Sequence, residues 1–192
     1  MPPAASQSLD GDLHRSVEVV YGIGAAVPAH ERRLAWRYRG AVAAEVEIAP
    51  IHPEELEDLL PLIAAYQRFY EVEEIDEARN RAFFRRFLAP SEDGLLLGAR
   101  RGRALVGYAC LYWHFSSLEA CESVLMNDLF VVEEARGGGV GRALIEASAE
   151  IARERGAPFV EWATEPDNLT AQRLYDSTGA EREEWISYEL RV

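Results

Sequence analysis

The stretch VVEEARGGGVGRAL, from Val131 to Leu144, crowds four glycines into five positions: Gly137, Gly138, Gly139 and Gly141. An apolar run precedes the stretch and an amphipathic pattern follows it, which predicts a strand, a glycine-rich turn and a helix. Glycine lets the backbone approach a ligand closely, because no Cβ stands in the way. Backbone N–H groups at a helix N-terminus bind anions, and Arg136 adds a guanidinium. The stretch therefore predicts a cradle for a pyrophosphate.

Two common phosphate-binding motifs do not fit this turn. A dinucleotide-binding G-x-G-x-x-G would require glycine at position 142, where the chain has Arg142. A P-loop requires a lysine, and the chain contains none. The alternative that the turn is only a flexible connector stays open at this point.

The pattern around the turn predicts one α/β domain. A strand is expected from Val42, helices begin near Pro53 and Asp76, and a meander of three antiparallel strands runs through residues 94–132. The helix after the turn is followed by a short strand, a helix over residues 168–179 and one or two last strands near residues 181–190. Pro61 is expected to kink or break its helix. Residues 1–41 read as a partly disordered N-terminal extension and residues 42–192 as the domain.

Composition excludes several classes of function. The net charge is −13, whereas a nucleic-acid-binding domain is normally basic, so no nucleic-acid partner is expected. The sequence has no apolar run long enough to span a membrane and no secretion signal, which predicts a cytoplasmic protein without a membrane partner. Its two cysteines and four histidines show no metal-binding spacing, so no metal is expected.

Two motifs resemble the GNAT superfamily of N-acetyltransferases. RGGGVGRALI, residues 136–145, is similar to the family's acetyl-CoA signature R/Q-x-x-G-x-G/A. NLTAQRLYDSTGA, residues 168–180, is similar to the family's second motif N-x-x-A-x-x-x-Y-x-x-x-G. The resemblance covers about residues 42–191, and the strand run MNDLFV looks like that of the diamine acetyltransferase branch. It implies a GNAT-type α/β fold: a mixed, mostly antiparallel twisted sheet with helices on both faces.

The resemblance implies acetyl-CoA as cosubstrate and assigns its contacts. Backbone amides of the turn would bind the pyrophosphate, and the main chain of the fourth strand would pair with the pantetheine arm. The implied cofactor-binding residues are Leu129, Phe130, Val131, Arg136, Gly137, Gly138, Gly139, Val140, Gly141 and Asn168. Asn168 is also predicted to cap the N-terminus of its helix.

The resemblance also implies the residues that move protons. Tyr175 falls where many family members place the acid that protonates the departing thiolate, and a phenol is protonated at neutral pH. The alternative is a core tyrosine on an amphipathic helix. The base is open: Asp128, Glu122 or a water chain could serve, and Asp128 could instead bond the backbone at a strand end. Asn127 stands where diamine acetyltransferases have an acidic residue, and we expect it to contact the substrate.

An acceptor site is expected between the first two helices and the fourth strand. The segment from Tyr66 to Glu77 places aromatic rings beside carboxylates, which suits an ammonium group, although a solvated acidic loop has the same composition. The expected substrate contacts are Tyr70, Glu71 and Glu74, with Trp113 on the opposite wall.

These motifs together predict an acetyl-CoA-dependent N-acetyltransferase that acts on a primary amine of a small molecule, by direct attack in a ternary complex. The alternatives are an enzyme that acetylates protein or antibiotic amines, and an acyl-CoA-binding module without catalysis. A homodimer is expected from the resemblance alone.

Overall fold

A computed structural model describes residues 46–192 of the chain. The predicted extension over residues 1–41 lies outside the described residues, as do residues 42–45. The predicted first strand is therefore seen only from Val46 onward.

The described strands form a single sheet in chain order. They are β1 (Val46–Pro50), β2 (Gly94–Arg101), β3 (Ala104–Ser116), β4 (Cys121–Val131) and β5 (Val160–Glu161). The first four strands pair antiparallel, and β5 pairs parallel to β4. The predicted mixed, mostly antiparallel sheet is confirmed.

Helices cover both faces of the sheet, as predicted. Helices α1 (Leu56–Phe69) and α2 (Glu77–Phe84) pack on one face, against a cluster that includes Phe130 of β4. Helix α3 (Val140–Arg155) packs on the other face, and α4 (Leu169–Asp176) joins it there through Leu174 and Tyr175. Apolar side chains on both faces of the sheet thus bury two cores.

Local sequence signals set most helix ends. Asp76 accepts a hydrogen bond from the Arg79 N–H at 3.0 Å and caps α2, and Asn168 accepts one from the Ala171 N–H at 3.1 Å and caps α4. Gly156 ends α3 with φ of 77°.

Pro61 neither ends nor divides α1, which continues through it to Phe69. It lies within the first two turns, where a missing N–H removes only one helical hydrogen bond.

The end of the chain departs from the sequence-based prediction. Residues 181–192 form no strand and are exposed throughout, although one or two strands were expected there. No helix between residues 46 and 192 combines the length and apolar composition that a membrane crossing requires.

Candidate active site

A cleft of about 520 Å³ opens where β4 and β5 separate. These two strands pair only through Val124 with Val160 and Leu125 with Glu161, so the sheet is open beyond that point. The cleft is lined by α1, β4, the glycine-rich turn, the segment after β5, and α4. Twelve of the predicted site residues line it: Tyr70, Asn127, Leu129, Phe130, Val131, Arg136, Gly137, Gly139, Val140, Gly141, Asn168 and Tyr175.

The glycine-rich turn presents backbone donors to the cleft. Ala143 is the first residue of α3 whose N–H bonds back along the chain, to the Gly139 carbonyl at 3.0 Å. Within residues 46–192, no acceptor of normal geometry meets the N–H groups of residues 137–142. Gly139 precedes the helix with φ of 80°, a left-handed conformation that glycine adopts without strain. The turn therefore holds free donors at the positive end of the α3 dipole, as an anion site requires.

Two arginines at this end of the cleft are held by protein oxygens. The Arg136 Nε donates to the Val131 carbonyl at 3.0 Å, which ties the end of β4 to the turn. The Arg142 Nη2 donates to the Ser177 carbonyl and hydroxyl, each at 2.6 Å, which ties α3 to the end of α4. Both side chains line the cleft, so they bring positive charge to the same end as the backbone donors.

A bulge in β4 directs Asp128 away from the face that strand alternation would give it. Cys110 pairs with Asp128 but Leu111 pairs with Met126, which leaves Asn127 as an extra residue. Met126 consequently packs on the α3 face, whereas Phe130 packs on the α1 face. Asp128 interacts with Tyr66 of α1 and therefore belongs to the α1 face. The bulge thus brings a carboxylate to the side of the sheet that carries the α1 aromatics.

Asp128 is buried and its acidity is perturbed. Only 7% of Asp128 is exposed to solvent, and this burial raises the pKa of its carboxyl to about 6. Interactions with the Tyr66 hydroxyl and the Asn127 amide, whose Nδ2 donates to Oδ1 at 3.0 Å, act in the opposite direction and lower that pKa. A carboxylate with a pKa near 6 can accept a proton at neutral pH.

Tyr66 connects Asp128 with the cleft. Asp128 does not line the cleft itself, but Tyr66 does. Tyr70 follows Tyr66 by one turn of α1, and the two rings meet edge to face with their centroids 4.9 Å apart. Burial, with the neighbouring Asp128, raises the pKa of Tyr66, so its hydroxyl is protonated at neutral pH. A proton donor to Asp128 therefore forms part of the cleft wall.

Tyr175 lies on the other wall of the cleft. Its ring meets that of Trp162 at 5.4 Å between centroids, and burial raises the pKa of its phenol. Tyr70 also raises the pKa of Tyr175, and both tyrosines line the cleft. Tyr175 is protonated at neutral pH and can donate a proton into the cleft.

The structure does not bring every predicted residue to the cleft. Trp113 lies on the α3 face, where the Arg155 guanidinium stacks 3.9 Å from its ring centroid, so it forms no wall of the site. Glu71 and Glu74 are exposed in the loop after α1 and do not line the cleft. Gly138 lies in the turn, outside the lining.

Tyr66 and Phe69 fall in the predicted acceptor segment but were not assigned as substrate contacts, and Arg142 and Trp162 were not predicted as site residues. All four line the cleft. The four-residue spacing of Tyr66 and Tyr70 was a usable signal, since residues at i and i+4 share a helix face. The aromatic pair could have been found in this way, but its contact with Asp128 depends on the β4 bulge. Among residues 46–192, no group of three or more metal-binding side chains was found.

The chain matches the model of the acetyltransferase (GNAT) family over residues 56–180. The chain belongs to this family. The matched residues run from the start of α1 through α4, and they include the turn, the bulge and both cleft walls. The predictions of a GNAT fold and of an acyl-CoA-dependent N-acetyltransferase are confirmed.

Individual relatives agree with this assignment. The chain is 33% identical to the N-acetyltransferase YhfO of Bacillus subtilis, over 70% of this chain and 89% of that protein. It is 36% identical to the D-amino-acid N-acetyltransferase HPA3 of Saccharomyces cerevisiae, over 68% of this chain and 81% of that protein. A crystal structure described as that of a probable acetyltransferase superimposes with a TM-score of 0.67 at 30% identity, covering 76% of this chain and 97% of the other.

Proposed function

We propose that this acetyltransferase transfers the acetyl group of acetyl-CoA to the primary amine of a small molecule, by direct attack in a ternary complex. The observation that carries the proposal is the arrangement of the cleft. Free backbone donors of Gly137 and of residues 139–142 line one end, and Tyr66, Tyr70 and Tyr175 line the same continuous space.

The residues of the turn fit a diphosphate. The N–H groups that precede Ala143 would donate to its oxygens, and Arg136 and Arg142 add positive charge beside them. The main chain of β4 from Leu129 to Val131 lines the cleft beside the opening of the sheet, where it can pair with the pantetheine arm as with an added strand. Acetyl-CoA supplies the activated acetyl group.

The lining favours direct attack over an acyl-enzyme. No cysteine, serine, lysine or histidine is among the described residues that line the cleft. Cys110 is buried on the α1 face of the sheet and does not line the cleft, and burial raises the pKa of its thiol and keeps it protonated. An amine that attacks directly needs only a base and an acid.

The chain offers both groups. We assign Asp128, acting through Tyr66 at the cleft wall, as the base that takes the amine proton. As the Tyr66 hydroxyl accepts that proton, it passes its own to the Asp128 carboxylate, so Tyr66 ends unchanged and Asp128 ends protonated. Tyr175 donates its proton to the thiolate that leaves.

The aromatic lining of the acceptor end favours an amine. Tyr66, Phe69 and Tyr70 line it, and their ring faces suit an ammonium group. The relative from Saccharomyces cerevisiae acts on D-amino acids by its name, which supports an amino acid as the amine. A diamine is the second candidate substrate, because Glu71 and Glu74 place negative charge near the end of α1.

An amine panel assayed by release of the coenzyme A thiol tests this proposal. The panel contains D- and L-amino acids, aliphatic diamines, an aminoglycoside and a short peptide with a free N-terminus. We expect thiol release above background with the amino acids or the diamines. Turnover only with the aminoglycoside or the peptide would overturn the substrate class, and coenzyme binding without release from any amine would indicate a binding module.

A further inference from the structure

The described lining of the active-site cleft contains no carboxylate. Among residues 46–192, neither an aspartate nor a glutamate lines it, and its charged members are Arg136 and Arg142 at the coenzyme end. Glu71 and Glu74, which place negative charge after α1, are exposed and lie outside the lining. A second ammonium group on the substrate would therefore leave water at the acceptor end without a carboxylate to pair with it, which costs binding free energy.

Three aromatic rings of α1 and its last turn lie along the acceptor end instead. Tyr66 is half-buried, whereas Tyr70 is 36% exposed and Phe69 is 54% exposed. The Tyr70 ring meets the Tyr66 ring at 4.9 Å between centroids and the Phe69 ring at 5.1 Å, both edge to face. Together the three rings form an aromatic wall that runs from the half-buried Tyr66 toward solvent.

The outer part of the aromatic wall is an exposed apolar patch inside a cleft. Adjoining apolar side chains that stay exposed mark binding surfaces, whereas a phenylalanine is ordinarily buried. Phe69 and Tyr70 form such a patch, and both line the cleft together with Tyr66. The molecule that covers the patch is therefore one that enters the cleft, which the substrate of the proposed reaction does.

We infer that the acceptor is a monoamine that carries an aromatic ring, and that this ring packs on the aromatic wall. The amine meets Tyr66, through which Asp128 takes the proton, and the ring of the substrate extends toward Phe69. Aromatic rings pack edge to face against one another and remove a large apolar area from water. This inference rests on the proposed function, and it selects an amine with an aromatic side chain over a diamine.

Matched amines that differ by one ring test the inference. The pairs are phenethylamine with ethylamine, and phenylalanine with alanine in each enantiomer, and putrescine is the diamine. We expect the ring to raise kcat/KM at least about tenfold within each pair that is acetylated, as an apolar group does in an apolar pocket. Phenethylamine should also exceed putrescine. A diamine that reacts as fast as phenethylamine would overturn the inference, and so would the lack of any ring preference.

Two changes at Phe69 test the contact itself. Phe69→Ala should bring the ratio of kcat/KM for phenethylamine to that for ethylamine to within about threefold of one. Phe69→Glu should favour putrescine over phenethylamine, because it adds to the lining the carboxylate that a second ammonium requires. Phe83→Ala is the matched control and should keep the ring preference, because Phe83 is 42% exposed on α2 and does not line the cleft. A preference that persists in both Phe69 variants, or that falls equally in the control, would overturn the inference.

Calorimetry separates this inference from the proposed function. Phenethylamine and ethylamine are titrated into the enzyme saturated with coenzyme A, so that no acetyl group is transferred. We expect phenethylamine to bind at least about tenfold more tightly than ethylamine in the unaltered enzyme and in Phe83→Ala, and the difference to be lost in Phe69→Ala. If no amine is acetylated in the assay above, the proposed function fails. The binding difference still decides the inference in that case, and its absence would overturn it.

Discussion

The two ends of the cleft are built in different ways. The coenzyme end consists of main-chain groups from one stretch of sequence, Leu129 to Arg142, whose donors face the cleft because glycines shape the turn. The acceptor end consists of side chains from α1 and β4, brought together by a bulge and by packing across the sheet. The coenzyme end therefore tolerates side-chain changes but not backbone changes, and the acceptor end responds in the opposite way.

The largest effect is expected at the acceptor end, from Asp128→Asn. Loss of the base should lower kcat/KM about 1,000-fold, within the usual range for general-base catalysis. In the unaltered enzyme, log kcat/KM should fall as pH drops below about 6, where Asp128 becomes protonated. A pH profile measures both effects, and an unchanged acidic limb in the variant would remove Asp128 from the mechanism.

The same variant should be more stable than the parent at neutral pH. The folded-state pKa of Asp128, about 6, lies above its ordinary value of 3.8. The folded state therefore holds the proton more tightly, and stability falls as pH rises from about 4 to 6. Removing the buried charge should raise the free energy of unfolding at pH 8 by on the order of 2–3 kcal/mol, with little change at pH 3. Urea unfolding at the two pH values measures the difference.

Tyr66→Phe sharpens the assignment of the base. It removes the hydroxyl through which Asp128 acts, so kcat/KM should fall on the order of 100-fold. The acidic limb of the remaining activity should move upward, because an interaction that lowers the Asp128 pKa is lost. Tyr112→Phe is the matched control, because Tyr112 is another half-buried tyrosine of the same core and does not line the cleft. A limb that moves equally in both variants would contradict a specific role for Tyr66.

At the coenzyme end, Gly139→Val should weaken coenzyme A binding about 100-fold, or about 2.7 kcal/mol. A β-branched residue does not adopt the φ of 80° found there, so the donors of the turn are displaced. Gly156→Val is the control, because Gly156 has a φ of 77° at the other end of the same helix. Both variants should lose stability, but calorimetry should show weaker coenzyme A binding only for Gly139→Val. Equal binding by both would exclude the turn as the diphosphate site.

Tyr175→Phe should lower kcat about tenfold. It should leave the coenzyme A dissociation constant within about twofold of that of the unaltered enzyme. The phenol is assigned a proton transfer and not a binding contact, and water replaces it in part. The Tyr112→Phe variant again serves as the control. Unchanged turnover would mean that solvent protonates the thiolate and that Tyr175 only packs against Trp162.

The contrast between the two ends also explains what the sequence could predict. The turn, α3 with its end at Gly156, and the cap of α4 were predicted because their signals are local: glycine spacing, helical periodicity and Asn168 before its helix. The first strand, seen from Val46, and the meander of three antiparallel strands were predicted for the same reason, from alternation and turn residues.

The acceptor end depends on contacts that are distant in sequence. Strand alternation would place Asp128 on the same face as Met126, and only the register between β3 and β4 reveals the extra residue at Asn127. Trp113 was assigned to the substrate wall because it is aromatic and near β4, whereas its strand face directs it toward Arg155. The last strands were predicted from correct alternation, but a strand also requires a partner edge, which alternation does not identify.

The smallest effect is expected at Glu71, which ends α1 in a left-handed conformation with φ of 54°. Its N–H bonds to the Arg68 carbonyl, and the Val72 N–H bonds to the Gln67 carbonyl, which is a helix ending that normally uses glycine. Glu71→Gly should therefore stabilise the fold by about 0.5–1 kcal/mol. Ala120→Gly is the matched control, because Ala120 has a φ of 50° in the turn between β3 and β4.

If the Glu71 carboxylate attracts the amine from outside the cleft, its loss should raise the KM for the amine severalfold while Ala120→Gly leaves that KM unchanged. Thermal unfolding and amine saturation curves of the two variants distinguish a strained substrate contact from a strained helix end, and equal KM values in both would leave Glu71 outside the acceptor site.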